Sequence, residues 1–237
     1  MNKYIDIITI VIKRVGKEMQ IENFLFDLDG TLSDPQKGII SCMQYALSHF
    51  GIEEEYDNLL CQIGPPLYNT FIEYLPEEKA NDAIIKYRER YAVKGIYENE
   101  IYEGIPLLLQ EIKEFGGKIF LATSKPEEYA LEILKYFGID IFFDDIVGSS
   151  MGNNHETKKD VIEKVFLRNE INKQNSVMIG DREHDVIGAN QAGVHSTIGV
   201  LYGFGSKEEL EKCEPTYIVD TVEDLNRLVM QTLKRGD

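Results

Sequence analysis

A chain of 237 residues is long enough for a sizeable core and a second lobe, so one or two domains are expected. Hydrophobic residues make up 43% and charged residues 28%, an ordinary balance for a soluble globular protein. The formal net charge of −16 argues against nucleic acid as a partner, because binding it requires cations against phosphates; an anionic small ligand would need locally concentrated positive charge.

The first apolar stretch, IDIITIVI (residues 5–12), is interrupted by Asp6 and Thr9. It falls far below the roughly 18 residues of a membrane span, and of a signal peptide's basic start, longer apolar region and small-residue cleavage site only the first is met, by Lys3. No membrane partner is expected. Residues 1–21 read as an extra strand or helix on the surface with no assigned role, and Met19 is an alternative start.

NFLFD (residues 23–27) then reads as a buried strand, and KIFLAT (118–123), DDIVGS (144–149), SVMIGD (176–181) and STIGV (196–200) read likewise. Helical patterns lie between them at residues 105–115, 127–137, 158–168 and 183–192. The alternation predicts an α/β fold, a parallel sheet covered by helices on both faces. Residues 34–103 break the rhythm, with no convincing strand. Ile39, Ile40, Met43, Leu47 and Phe50 fall at helical spacing, and helix candidates follow at 67–75 and 77–93 after the breaker Gly64-Pro65-Pro66. An inserted all-helical lobe over 34–103 is expected, with the α/β core formed by 22–33 and 104–237. The three scattered cysteines form no CxxC pair, which fits reduced thiols and a cytoplasmic location.

Sites in open α/β sheets form at the carboxyl ends of the strands. There the first strand offers Asp27-Leu28-Asp29-Gly30-Thr31, the second Thr123-Ser124-Lys125, and the fourth Gly180-Asp181 with Asp185 four residues on. Lys158 and Lys159 stand at the start of the helix before that fourth strand. Carboxylates gathered this way repel unless a divalent cation sits among them, and oxygen donors beside a substrate phosphate are what Mg²⁺ prefers. Two neighbouring aspartates can divide the labour, one attacking as a carboxylate and one carrying a proton. Gly30 permits a turn whose amides face an anion, and Thr123 and Lys158 add donors. Such an assembly suits phosphoryl transfer.

In order and spacing, Asp27-x-Asp29-Gly30-Thr31-Leu32, Thr123, Lys158 and Gly180-Asp181-x-x-x-Asp185 resemble the four motifs of the haloacid dehalogenase superfamily. The likeness covers residues 22–235 and is greatest to the branch of phosphoglycolate phosphatases and 5′-nucleotidases with a helical cap after the first motif. The resemblance implies a Rossmann-like core and a phosphatase for a small phosphorylated metabolite. Asp27 would be the nucleophile, forming an aspartyl-phosphate, and Asp29 the general acid and base. The Asp27 carboxylate, the Asp29 carbonyl, Asp181 and Asp185 would hold Mg²⁺. Gly30, Thr31, Thr123, Ser124 and Lys158 would hold the phosphoryl group, with Gly64 and Pro65 near the substrate. TKKD offers two lysines, and registering the following DVI favours Lys158 over Lys159.

Lys125 reads more economically as a charged residue opening a surface helix. Related chemistries leave marks that can be checked. A dehalogenase has no use for Asp29. A β-phosphoglucomutase-like mutase wants a histidine where this chain has Ile39, and a phosphonate hydrolase wants a cap lysine in an apolar setting, which neither Lys37 nor Lys86 has. A phosphomutase, a pyrophosphatase or a non-catalytic module binding a phosphorylated metabolite are the alternatives to hold beside a phosphatase.

Overall fold

The structure is a computed structural model that describes residues 21–64, 67–151 and 156–233. The expectations for residues 1–20 and for Pro65 lie outside the described residues. In chain order the elements are β1 (Asn23–Phe26), β2 (Ser33–Asp34), α1 (Gln36–Ser48), α2 (Leu67–Tyr74), α3 (Glu77–Tyr91), β3 (Glu100–Ile101), α4 (Ile105–Glu114) and β4 (Lys118–Pro126). They continue with α5 (Glu127–Phe137), β5 (Asp145–Ser149), α6 (Lys158–Asn169), β6 (Ser176–Gly180), α7 (Glu183–Ala192), β7 (Ser196–Val200), α8 (Lys207–Lys212), β8 (Tyr217–Val219) and α9 (Val222–Leu233).

Six strands form one parallel sheet in the order β5-β4-β1-β6-β7-β8. Alternation along the central strands sorts their side chains between two apolar layers. Phe24 and Phe26 of β1, Ile119 and Leu121 of β4, and Val177 and Ile179 of β6 share a cluster with Leu108 and Ile112 of α4, Leu134 of α5 and Val229 of α9. Leu25, Phe120 and Met178 face the opposite side, against Val161, Ile162 and Val165 of α6 and Ala189 of α7. Asp27 follows Leu25 by two residues, so the same alternation aims it toward the layer of α6 and α7. The strand that builds the core therefore also aims the first carboxylate.

Helices α1, α2 and α3 form the insert between β2 and β3. Ile40, Met43, Leu47, Phe71, Ala83 and Tyr87 belong to the larger apolar cluster, so the insert continues the core of the sheet's α4, α5 and α9 side. A short antiparallel ribbon joins β2 to β3, pairing Ser33 with Ile101 and Asp34 with Glu100. This ribbon departs from the strand-free reading of 34–103. Two residues of pairing are too short to leave an alternation pattern.

Besides that ribbon, α8, β8 and α9 have no counterpart in the sequence reading. β8 is three residues long and only partly buried, yet Leu225, Val229 and Leu233 of α9 are buried at helical spacing. β4 also runs three residues past its expected end at Thr123, which puts Lys125 on the strand. Among the described residues no helix is long and apolar enough to cross a membrane.

Candidate active site

At the carboxyl end of the sheet a cavity of about 530 Å³ opens between the sheet and the insert. Asp27, Asp29, Thr123, Ser124, Lys158 and Asp185 line its floor, and Ile39, Met43, Ile84 and Tyr87 of the insert line its roof. Gly64, Lys159 and Arg182 stand on its wall. The cavity thus collects predicted residues from four segments far apart in the chain. Gly30, Thr31 and Asp181 are buried behind the wall rather than in it.

Each floor residue is placed by its local structure. The peptide of Asp27 extends β1, its N–H donating to the Ile179 carbonyl at 2.9 Å. The chain then turns at Gly30, whose N–H donates to the Ser33 carbonyl at 2.8 Å. Gly30 has φ +82°, and a side chain there would collide with the Asp181 carboxylate. Thr157 caps α6 through a reciprocal pair with Asp160, which makes Lys158 the first residue of the helix. The carboxylate of Asp185 accepts from the Arg182 N–H at 3.1 Å, closing the first turn of α7 while its other oxygen faces Lys158.

The Lys158 ammonium lies 2.8 Å from Asp27 Oδ1 and 2.8 Å from Asp185 Oδ1, and donates to the Ala122 carbonyl at 3.1 Å. Lys159 points elsewhere, 3.6 Å from Glu163 with its side chain 39% exposed, so the geometry separates the two lysines that the sequence left as rivals. Burial pushes the Lys158 pKa down, but Asp185 and Asp27 outweigh it and the ammonium is held more firmly charged than usual.

Lys125 departs from its reading as a surface residue. Its side chain is 8% exposed, its ammonium lies 2.5 Å from Asp29 Oδ2, and it stands 5.1 Å from the centre of the Tyr91 ring on α3. The extra length of β4 turns this cation inward. Burial still raises the Asp29 pKa above the ordinary carboxylate value, with Lys125 opposing it.

Asp27, Asp181 and Asp185 each present a carboxylate oxygen within 4.8 Å of the other two. Asp181 Oδ2 accepts from the Phe204 N–H at 2.8 Å, whereas Asp181 Oδ1 is buried and accepts no hydrogen bond. Burial, then the charges of Asp185 and Asp27, hold the Asp181 pKa well above the usual range. Burial likewise pushes Asp185 up to about 6, with Lys158 opposing. Buried acids with an unused oxygen and mutual repulsion fit a bound divalent cation, which would relieve both penalties together. All the side-chain donors are hard oxygens, the set that Mg²⁺ or a similar ion takes.

Arg182 was not singled out in the sequence, although it lies inside the fourth motif. Its Nε lies 2.7 Å from Glu209 Oε1, and its Nη1 donates to the Ile63 carbonyl of the insert at 2.8 Å. Gly64 has φ +110°, and a side chain at that position would meet the Arg182 guanidinium. The floor and the insert therefore touch through a hydrogen bond that needs a glycine beside it.

A 5′-nucleotidase of Pseudomonas aeruginosa is 41% identical over 202 residues, covering 84% of this chain and 91% of its own. The tyrosine-protein kinase PtkA of Mycobacterium tuberculosis is 35% identical over 204 residues, covering 85% of this chain and 70% of its own. The crystal structure of a predicted phosphatase from Clostridium acetobutylicum superposes with a TM-score of 0.84 at 42% identity, over 90% of this chain and 99% of the other. Residues 24–199, which span β1 to β7 and so hold both the acidic floor and the insert above it, match the haloacid dehalogenase-like hydrolases, and the chain belongs to that family.

Proposed function

We propose that this protein is a Mg²⁺-dependent phosphatase that hydrolyses a small phosphate monoester through a phosphorylated Asp27. The observation that carries the proposal is the setting of Asp27. Its carboxylate lies at the cavity floor, paired with Lys158 and within reach of Asp181 and Asp185.

In this reading Asp27 attacks phosphorus, the bond to the leaving oxygen breaks, and Asp29 gives that oxygen a proton. Burial raises the Asp29 pKa, which favours the protonated form that this step needs. In the second step Asp29 takes a proton from water as the water oxygen attacks phosphorus. The bond to Asp27 then breaks, restoring its carboxylate and releasing inorganic phosphate. Lys158 offsets charge on the transferring group, and Thr123 and the amides near Ser124 and Gly30 orient it. Asp27, Asp181, Asp185 and the Asp29 carbonyl would hold Mg²⁺, which supplies positive charge against the phosphoryl oxygens when bound.

The cavity between floor and roof favours a small substrate over transfer to a protein hydroxyl, the activity named for the mycobacterial relative. Its apolar roof excludes water from the reacting group. The reading is tested by Mg²⁺-dependent release of phosphate from p-nitrophenyl phosphate. Wild-type protein should turn over and leave an acid-stable, base-labile phosphate on Asp27 that mass spectrometry detects. Asp27→Asn should do neither while keeping its circular dichroism, and turnover by that variant at the wild-type rate sinks the proposal.

A further inference from the structure

Among the described residues, the charged side chains around the cavity are paired one by one, with a single exception. Lys125 lies against Asp29, Lys158 against Asp27 and Asp185, Lys159 near Glu163, and Arg182 against Glu209. Arg88, half-buried on α3, also lines the cavity, but its side chain makes no ion pair or hydrogen bond among the described residues. Two acids close to it in the chain are engaged elsewhere. Glu89 lies 2.8 Å from Lys86, and Glu98 lies 2.7 Å from Arg90.

Helical spacing explains its direction. Ile84, Tyr87, Arg88 and Tyr91 fall at i, i+3, i+4 and i+7, so they share the face of α3 that forms the roof. Three of the four are buried and offer an apolar or aromatic surface. A guanidinium in that row remains charged and presents a planar fork of donors suited to a carboxylate or a phosphate. In a chain of net charge −16, a cation left unpaired toward a cavity runs against the prevailing balance.

We infer that Arg88 selects substrates whose leaving group carries a second anionic group, a carboxylate or a phosphate, in addition to the phosphoryl group held at the floor. The inference rests on the phosphatase reading above. It assigns recognition to the roof and chemistry to the floor. A nucleoside 5′-monophosphate has no anion on its leaving group, so the inference places this protein's preference away from that class. Electrostatic attraction across a partly solvated cavity also makes the preference weaken with ionic strength.

The test compares kcat/KM in Mg²⁺ for four probes, namely phosphoglycolate, inorganic pyrophosphate, ethyl phosphate and adenosine 5′-monophosphate. Phosphoglycolate against pyrophosphate distinguishes a carboxylate from a phosphate as the second anion. Wild-type protein should prefer at least one anionic probe to ethyl phosphate by about tenfold or more, the size of one charge-assisted hydrogen bond. Arg88→Met should lower that ratio about tenfold, mainly through KM, and Arg88→Lys should restore part of it. The inference is overturned if wild type turns over ethyl phosphate or the nucleotide as well as both anionic probes, or if Arg88→Met leaves the ratio intact. Absence of Mg²⁺-dependent release from every probe, and from p-nitrophenyl phosphate, overturns the phosphatase reading and this inference together. Release without discrimination overturns this inference alone.

Discussion

The floor and the roof of the cavity are built on opposite plans. On the floor, charges from separate segments stand in contact, as Lys158 does with Asp27 and Asp185 at 2.8 Å. The roof is an apolar and aromatic surface. Phe71 meets the edge of Tyr87, Tyr87 stacks on Tyr91 at 5.4 Å, and Tyr91 meets Tyr129 of α5 at 5.3 Å. Buried charges need fixed partners, since each one left alone costs several kcal/mol. An apolar face needs only volume and shape, and it tolerates exchange of one side chain for another of similar size. The difference suggests why one layer is suited to carry chemistry while the other can vary with the substrate.

Lys125 and Arg182 are the joints between the two. Lys125 holds Asp29 on one side and faces the Tyr91 ring on the other, and Arg182 reaches from Glu209 to the Ile63 carbonyl. Movement of the insert would therefore be felt at the floor through two cations.

This division of labour can be broken deliberately. The largest effect is expected at the floor, where Asp27→Asn removes the carboxylate proposed to attack phosphorus and should lower kcat by about a thousandfold or more in a phosphate-release assay. In the roof, Phe71→Ala should instead act on stability. Its ring is fully buried, so chemical denaturation should report a loss of about 3 kcal/mol or more. The kcat of the folded fraction should fall much less than in the floor variants.

Lys158→Met should lower kcat about a hundredfold, because the charge proposed to sit on the transferring group is lost. The smaller effect of Lys125→Met should depend on the leaving group. We expect about a tenfold loss with an alkyl phosphate, whose leaving oxygen in the proposed mechanism depends on an Asp29 held in place by Lys125, and a smaller loss with p-nitrophenyl phosphate. Equal losses on both would sever the proposed link from Lys125 to Asp29.

The smallest effect concerns the metal. Burial raises Asp185 to about 6, so between the ordinary carboxylate value and that pH the metal-free fold holds a proton that the unfolded chain has released. That contribution to stability is complete at low pH and is lost as pH rises through about 6. A divalent cation needs the ionised form. The rise in Tm on adding Mg²⁺ should therefore grow between pH 5 and pH 7.5, to about 2–4 °C. A Tm shift that is larger at pH 5 contradicts the assignment of Asp185 to the cation.

Much of this was legible in the residues. Five strand segments, two of them ending in aspartate, stand out because parallel strands buried on both faces read as apolar runs, and their ends carry the polar residues. Asp27, Thr123 and Asp185 were placed from that pattern and lie on the floor. Lys125 lies past the apolar run that ends at Thr123, and a strand that continues three residues further turns a surface cation into a buried one. Arg88 carried no signal at all. An arginine in a polar helix is unremarkable until its partners are known to be absent, and absence of partners is a property of space.

The linear order of residues thus decided the layered α/β class, the interruption by helices and the acids at the strand ends, since these depend on local periodicity and on positions along single elements. Only folding decided which of two adjacent lysines meets Asp27, which cation stays unpaired in the roof, and how three aspartates from two segments come within 4.8 Å. Those outcomes depend on distances between segments up to 158 residues apart, as from Asp27 to Asp185, and on the free energy of pairing charges away from water.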